Sequence, residues 1–247
     1  MRVDVVTAVH AQYARYLPAA WASLRAQSHP EWSWLVQIDG PDAAAVREVL
    51  AACGAAADRR VSVRAHGTPE GPGTARNIAL GRSGAPLVQN LDADDELEPP
   101  ALAVLVRALA ADARLGFAVG RARDLTENGE LREFTLPLPA GTLRRGALLA
   151  AWDRDPDGRL PVHPAGVMWR RALLVELGGW SALGYMEDTG TLIPASAWAD
   201  GVLVGSPTLR YRKHAGQRSS TPDFDGGGVQ KALIRERAAL LAARPRW

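Results

Sequence analysis

Pro86-Leu87-Val88-Gln89-Asn90-Leu91-Asp92-Ala93-Asp94-Asp95 is the stretch that decides how the rest of the chain reads. A short, largely apolar run of strand length empties directly into three carboxylates. A run of this kind suits a central strand buried on both faces. Three carboxylates within four residues repel one another unless a cation or basic groups neutralise them. Mg2+ and Mn2+ take hard oxygen ligands and share them with substrate phosphates, so a divalent ion at this strand end is the expected partner. The plainer reading is a solvated turn capping the helix that Pro99-Pro100 opens. A calcium EF-hand is excluded by spacing, because Leu97 stands where its loop needs glycine and Ala103 where it needs a bidentate glutamate.

Working outward from that strand, the N-terminal side alternates. Strands are expected over Val3 to Val6, Trp32 to Ile38, Val61 to Ala65 and Pro86 to Leu91. Helices are expected over Tyr16 to Gln27, Asp42 (as cap) to Cys53, Thr74 to Arg82, and from Pro99-Pro100 to Ala111. Gly67 to Gly73 reads as a flexible loop; no Gly-Lys-Ser/Thr follows Gly71-Pro72-Gly73, so it is not a phosphate loop of that type. Alternation of this kind predicts an α/β fold, Rossmann-like, with a mostly parallel central sheet and helices on both faces. In such sheets ligands sit outside the carboxyl ends of the strands. Thr7 to His10, Asp39, the Gly71 to Asn77 segment and Asp92 to Asp95 all fall there.

The C-terminal side is less regular. A strand over Gly116 to Arg123 and a hairpin tip at Asn128-Gly129, between Arg123 and Thr135, are expected. Thr142 to Trp152 reads as helix, Asp153 to Gly158 as a polar loop and His163 to Trp169 as extended chain. A short helix ends at Gly178-Gly179, and another over Glu187 to Asp200 is bent at Pro194. Val202 to Val204 and Thr208 to Arg212 read as strands, Ser219 to Gly228 as a loop and Val229 to Ala243 as a terminal helix. The expected organisation is a ligand-binding half, 1–115, a smaller second half of the same domain, 116–220, and a C-terminal helix, 221–247.

The bulk properties exclude several classes. With 247 residues, 47% hydrophobic and 23% charged, the chain has material for a sizeable core. The net charge is +2 and no block of like charges suggests a nucleic-acid tail. Lys213 and Lys231 are the only lysines, so the cationic residues are nearly all arginine, which suits phosphate. The single cysteine, Cys53, excludes an internal disulfide and fits a reducing compartment. The N-terminus lacks the form of a signal peptide and no apolar run reaches the roughly 18 residues of a membrane span. The expectation is a soluble, cytoplasmic protein, with a homodimer as an allowed assembly.

At this point the chain resembles the family 2 glycosyltransferases. The resemblance is carried in order by Val3-Asp4-Val5-Val6-Thr7, Ile38-Asp39-Gly40, Ala75-Arg76-Asn77 and Leu91-Asp92-Ala93-Asp94-Asp95. It continues through Met168-Trp169-Arg170-Arg171, Gly178-Gly179-Trp180, Glu187-Asp188 and Tyr211-Arg212-Lys213-His214, and spans about Val3 to Ser219. The resemblance implies a GT-A fold with an acceptor-side second half, and an inverting, metal-dependent transfer of sugar from a nucleotide diphosphate sugar. It implies that Asp39 accepts a hydrogen bond from the base, which favours a UDP- or dTDP-sugar. It places Thr7 beside the nucleoside, Arg76 near the nucleotide, Asp92 near the ribose and Asp94 on Mn2+ or Mg2+, with His214 as a second protein ligand to the metal or a diphosphate contact. Asp188, with Glu187 beside it, is implied as the catalytic base. Arg212 and Lys213 are placed to add charge at the diphosphate, and Asp95 to hold the loop or the helix start. Trp180 reads as either an aromatic platform for a sugar or core. Of the other histidines, His163 reads as structural, His10 as facing either donor or solvent, and His29 and His66 as surface residues.

The chain departs from the family pattern at Thr7-Ala8-Val9-His10, where a Pro-x-Tyr-Asn-like turn is usual, and at Thr189-Gly190-Thr191 and Pro194. The short run after His214 points to a small soluble hydroxyl acceptor, a secondary metabolite or cell-surface precursor, rather than a growing polysaccharide. Two other functions stay open on the residues: a sugar nucleotidyltransferase, and a nucleotide-sugar-binding protein without catalysis. The first wants a glycine-rich basic loop where His10-Ala11-Gln12-Tyr13 stands.

Overall fold

The structure, a computed structural model, describes residues 1–133, 137–156, 159–217 and 227–247. Of the loop expected over Ser219 to Gly228, residues 219–226 lie outside the described residues, as do the ends of the segments expected at Thr135 and at Asp157-Gly158, and Gly227 and Gly228 already belong to the terminal helix. In chain order the strands are β1 (Val3–Val9), β2 (Trp32–Ile38), β3 (Val61–Ala65), β4 (Leu87–Asn90) and β5 (Glu96–Leu97). They continue as β6 (Leu115–Leu125), β7 (Leu131–Glu133), β8 (Gly141–Leu143), β9 (Met168–Arg170) and β10 (Asp200–Arg212). The helices are α1 (Leu17–Arg25), α2 (Ala43–Ala52), α3 (Pro72–Leu80), α4 (Ala101–Ala111), α5 (Ala147–Arg154), α6 (Arg171–Glu176), α7 (Thr189–Trp198) and α8 (Gly227–Ala242).

One ten-stranded sheet runs in the order β3-β2-β1-β4-β9-β6-β10-β5, with β7 added to β6 and β8 to β10. Strands β3, β2, β1 and β4 are parallel, and β1 lies between β2 and β4. The chain therefore leaves β1 in one direction and returns on its other side at β4, which opens a crevice at the carboxyl ends of β1 and β4. Beyond β4 the expected mostly parallel sheet is corrected. Strand β9 is antiparallel to both β4 and β6, β5 is antiparallel to β10, and β6 with β10 forms the remaining parallel pair. A short apolar run specifies a buried strand but carries no direction; its direction comes from the connections before and after it.

The sheet separates two cores. One face carries α1, α2 and α4 through Leu17, Trp21, Leu24, Val46, Leu50, Leu102, Leu105 and Leu109. The other carries α3, α5, α6, α7 and α8 through Leu80, Trp152, Leu173, Ile193, Ile234 and Leu241. On the first face the Trp21 and Trp34 rings stack with centroids 5.8 Å apart. Asp4 is a charge inside β1, 4% exposed, and it is satisfied by Ser83 Oγ and the backbone N–H groups of Gly84 and Ala85 at 2.8–2.9 Å. That carboxylate fixes the turn leading into β4.

Several boundaries move. Gly141–Leu143 is a strand paired with β10, so the helix expected over Thr142 to Trp152 starts only at Ala147 and runs on to Arg154. The helix expected from Glu187 begins after Asp188, and Asp200 already belongs to β10, which runs unbroken through both strands expected there. Every residue of α7 is buried, Pro194 included, so the helix has no polar face for its period to reveal. Asp42 occupies the N-cap position of α2 without a side-chain capping bond. The hairpin at Asn128-Gly129 forms as expected, with Gly129 at φ +83° joining β6 to β7.

Candidate active site

The crevice is built from strand ends. Strand β4 ends at Asn90, and Asp92 to Asp95 form a tight turn in which the Asp95 N–H donates to the Asp92 carbonyl at 3.2 Å. Asp95 is 1% exposed and its Oδ1 accepts the backbone N–H of Arg212 at 2.9 Å. It thus ties the turn to the end of β10 rather than to a helix start. Arg212 completes the tie: its Nε donates to the Asp94 carbonyl at 2.9 Å and its guanidinium pairs with Glu96. Arg212 therefore holds the acidic turn that was expected to face the diphosphate. Lys213 is exposed, with its ammonium 4.8 Å from the Tyr211 ring centre.

Asp94 and His214 meet, although 120 residues separate them: His214 Nε2 lies 2.9 Å from Asp94 Oδ2. Tyr13 and Tyr16 pack around the imidazole, with ring centroids 6.1 and 4.7 Å from it. Both come from the 3-10 turn Ala11–Tyr16 that follows β1, in which residues three apart share a side. That turn replaces the usual family turn after the first strand. The two tyrosines at this spacing were the available sequence signal for it.

Burial, then the neighbouring Asp92 charge, pushes the Asp94 carboxyl up, against the lowering effect of His214. Asp95 is pushed well above the usual carboxylate range by burial and then by Asp94 and Asp92. Burial and mutual repulsion thus disfavour the charged forms of these carboxyls, and the turn offers an oxygen and an imidazole nitrogen side by side. This donor set suits Mn2+ or Mg2+ with phosphate oxygens and water completing the shell. Among the described residues, no three His, Cys, Asp or Glu side chains converge as a metal site by themselves.

Arg76 links the acidic turn to the second half. It is 3% exposed, and its guanidinium lies 2.6 Å from Asp92 Oδ1, 3.1 Å from Asp188 Oδ1 and 3.4 Å from Glu187 Oε1. Burial disfavours its charge, but Asp188, Asp92 and Glu187 outweigh that and raise its pKa above the ordinary arginine value. Three carboxylates of its own chain thus occupy the fork that the resemblance placed near the nucleotide. Of the carboxylate pair, the Asp188 side chain is 19% exposed and that of Glu187 8%.

Asn77, next on α3, sets the turn before that pair. Its amide accepts the Trp180 N–H at 2.7 Å and donates to the Trp180 carbonyl at 2.9 Å. Gly179 has φ +83°, and a Cβ there would stand 2.1 Å from Asn77 Oδ1. The Trp180 indole belongs to the second core at 3% exposure, which settles its two readings in favour of core. The unusual Thr189-Gly190-Thr191 also has a use: Thr191 Oγ1 accepts the Ser181 N–H at 2.9 Å and donates to the Glu187 carbonyl at 2.7 Å.

The ends of β1 and β2 differ from expectation at two residues. Thr7 is fully buried; its hydroxyl donates to the Leu91 carbonyl at 2.7 Å and accepts from Trp34 Nε1 at 2.9 Å. It staples β1, β2 and the exit of β4 together, and its one donor is spent on the Leu91 carbonyl. His66 is not a surface residue: Nε2 lies 3.0 Å from Asp39 Oδ1, with the side chain 14% exposed. Asp39 also accepts the Glu70 N–H at 2.8 Å and the Gly71 N–H at 3.0 Å. His10 caps the 3-10 turn beside Gly40, and His29 is a partly exposed contact of the Met1 carbonyl. His163 packs against Tyr211 with centroids 4.2 Å apart and the rings tilted by 50°, and its Nδ1 is buried without a hydrogen-bond partner.

The family model of glycosyl transferase family 2 matches residues 4–178, well over half of the chain. The chain belongs to this family. No curated protein matches it in sequence. Among solved structures, the 1–349 portion of S. aureus TarS in complex with UDP-GlcNAc is similar with TM-score 0.71 and 16% identity, over 96% of this chain and 66% of that one. The same portion in complex with UDP gives TM-score 0.69 and 15% identity, over 98% and 65%. S. aureus TarS as a longer chain gives TM-score 0.65 and 16% identity, over 97% and 39%. The chain therefore spans less than two thirds of the length of these solved chains, and the likeness establishes the GT-A fold. The family match ends at Gly178, before Glu187, Asp188 and His214; those join the site by geometry, through Arg76 and Asp94. Among the described residues, no helix is long and apolar enough to cross a membrane.

Proposed function

We propose that this protein is an inverting glycosyltransferase that moves a sugar from a UDP- or dTDP-sugar to a hydroxyl of a small acceptor. The observation that carries the reading is the position of Arg76, one buried guanidinium joining Asp92 of the acidic turn to Glu187 and Asp188. A transfer needs a place for departing negative charge and, a short distance away, a group to take the acceptor's proton. Arg76 spans those two requirements.

Asp188 is the proton acceptor in this reading, because it is the more accessible of the pair and Arg76 fixes the direction of its carboxylate. A positioned carboxylate of this kind is typically worth about 10²–10⁴ in rate. Glu187, the more buried, supports Arg76. Asp94 and His214 would hold Mn2+ or Mg2+, which when bound offsets the charge that builds on the nucleoside diphosphate. Asp39 faces the base. Attack from the side opposite the diphosphate inverts the anomeric carbon.

The test is turnover with a panel of nucleoside diphosphate sugars and hydroxyl acceptors, with NMR of the product's anomeric configuration. Asp94→Ala and Asp188→Asn should each abolish transfer in a folded protein. Full activity of Asp188→Asn removes it as the base. Pyrophosphate release from a nucleoside triphosphate would replace this reading by sugar nucleotidyl transfer, and metal-dependent nucleotide binding without transfer by a binding role.

A further inference from the structure

Behind Asp39 lies a chain of hydrogen bonds that no step above uses. The Arg82 guanidinium donates to Gln37 Oε1, and its second nitrogen donates to the Val36 carbonyl at 3.2 Å. Gln37, fully buried within β2, has its Nε2 3.1 Å from His66 Nδ1. His66 Nε2 lies 3.0 Å from Asp39 Oδ1.

The direction of every bond in this chain follows from its far end. Arginine has donors only, so the Gln37 oxygen must face Arg82. The Gln37 NH₂ group must then face His66, where Nδ1 accepts. The imidazole proton is thereby placed on Nε2, which donates to Asp39. Amide and imidazole orientations are assigned by such networks, and here a donor-only residue anchors the assignment.

The consequence falls on Asp39. Oδ1 receives His66 and the Glu70 N–H, and Oδ2 receives the Gly71 N–H. Three donors prevent the carboxylate from turning, and Oδ2 keeps acceptor capacity. The next residue, Gly40, has φ +104° and lies beside His10 and Pro69, where a Cβ would stand 3.5 Å from His10 Cδ2 and 3.8 Å from Pro69 Cβ. A base that approaches Asp39 meets a fixed acceptor.

We infer that Arg82, Gln37 and His66 are positioning residues that hold Asp39 as a fixed hydrogen-bond acceptor, and that this makes the site select a pyrimidine bearing an imide N–H (uracil or thymine) over one with a bare ring nitrogen (cytosine). The inference rests on the proposed binding of a nucleoside diphosphate sugar and adds which residues set the base preference. An imide N–H donates to the fixed oxygen. A bare ring nitrogen sets one lone pair against another, and a carboxylate that cannot rotate does not relieve the repulsion.

Isothermal titration of the full chain with UDP and CDP, in Mn2+, tests this. The wild type should prefer UDP. His66→Leu should lower the UDP:CDP affinity ratio by roughly tenfold, as expected for losing a hydrogen bond to a charged group. H66Q, which restores a donor, should recover most of the ratio. A merely structural role would lower both affinities together and leave the ratio unchanged. Long-range proton–nitrogen NMR of the wild type reads the His66 tautomer without any substitution, and Nε2–H is expected. An unchanged ratio in His66→Leu, or an Nδ1–H tautomer, overturns this inference and leaves the proposed function standing. A wild type that binds neither nucleotide overturns both.

Discussion

Arg76→Met removes the guanidinium while keeping most of the aliphatic volume, and leaves Asp92, Glu187 and Asp188 facing one another without their shared cation. Arg76 is 3% exposed and contacts the three carboxylates at 2.6, 3.4 and 3.1 Å respectively, so solvent cannot replace it without rearrangement. Breaking a buried ion pair by removing one partner costs about 3–5 kcal/mol. At roughly 2–4 °C per kcal/mol for a chain of this size, the melting temperature should fall by about 6–20 °C. Arg76→Lys should fall between, since a single ammonium keeps the charge but lacks the fork that serves three partners. Denaturant unfolding measures the loss, and a double-mutant cycle identifies its cause. In the Arg76→Met background, Asp188→Asn should recover part of the stability, because it removes one of the charges left unpaired. The cycle should show a coupling of about 1 kcal/mol or more. Transfer by Arg76→Met should fall even at temperatures where it is folded. An Arg76→Met protein within about 1 kcal/mol of wild type and fully active would refute the reasoning, since it would mean that solvent or other side chains already neutralise the three carboxylates.

His163 gives a pH signature: burial first of all, opposed by Asp92 and assisted by Lys213, pushes it from 6.5 down to about 4. The unfolded chain therefore binds this proton near pH 6.5 and the folded chain only near pH 4, so stability is lost as pH falls through that window. The contribution is at most about 3 kcal/mol, and His163→Gln should flatten that part of the stability–pH curve measured by denaturant unfolding. Gly179→Ala adds a Cβ 2.1 Å from Asn77 Oδ1 at a φ of +83°, and should cost at least about 2 kcal/mol in chemical denaturation. Thr7→Val should lower stability by about 1–3 kcal/mol, through the Leu91 carbonyl and Trp34 N–H it leaves unpaired. Its nucleotide affinity by calorimetry should stay within about threefold of wild type, whereas a direct nucleoside contact would lose more.

Local order could be read where the sequence pattern has a period or a punctuation mark. The alternating strands of the first half, the hairpin at Asn128-Gly129 and the acidic turn after β4 are of this kind. The buried α7 was harder, because a helix apolar on all sides shows no face, and Pro194 suggested a break that the packed helix absorbs. Strand direction in the second half was not readable either, since β9 owes its antiparallel course to the chain on each side of it.

The sequence by itself determined the residue types at each strand end: carboxylates after β4, a carboxylate after β2, an arginine on α3 and a histidine after β10. Which of them face a ligand and which face each other was decided only by tertiary structure. Thr7 and Arg76 stand in the family's motifs, but both spend their hydrogen bonds inside the chain. His66, without a motif, has its proton placed by Arg82 through Gln37. The reason is physical: a buried polar group is bound to find a partner, but the partner is chosen by which elements the fold brings together, across 112 residues in the case of Arg76 and Asp188.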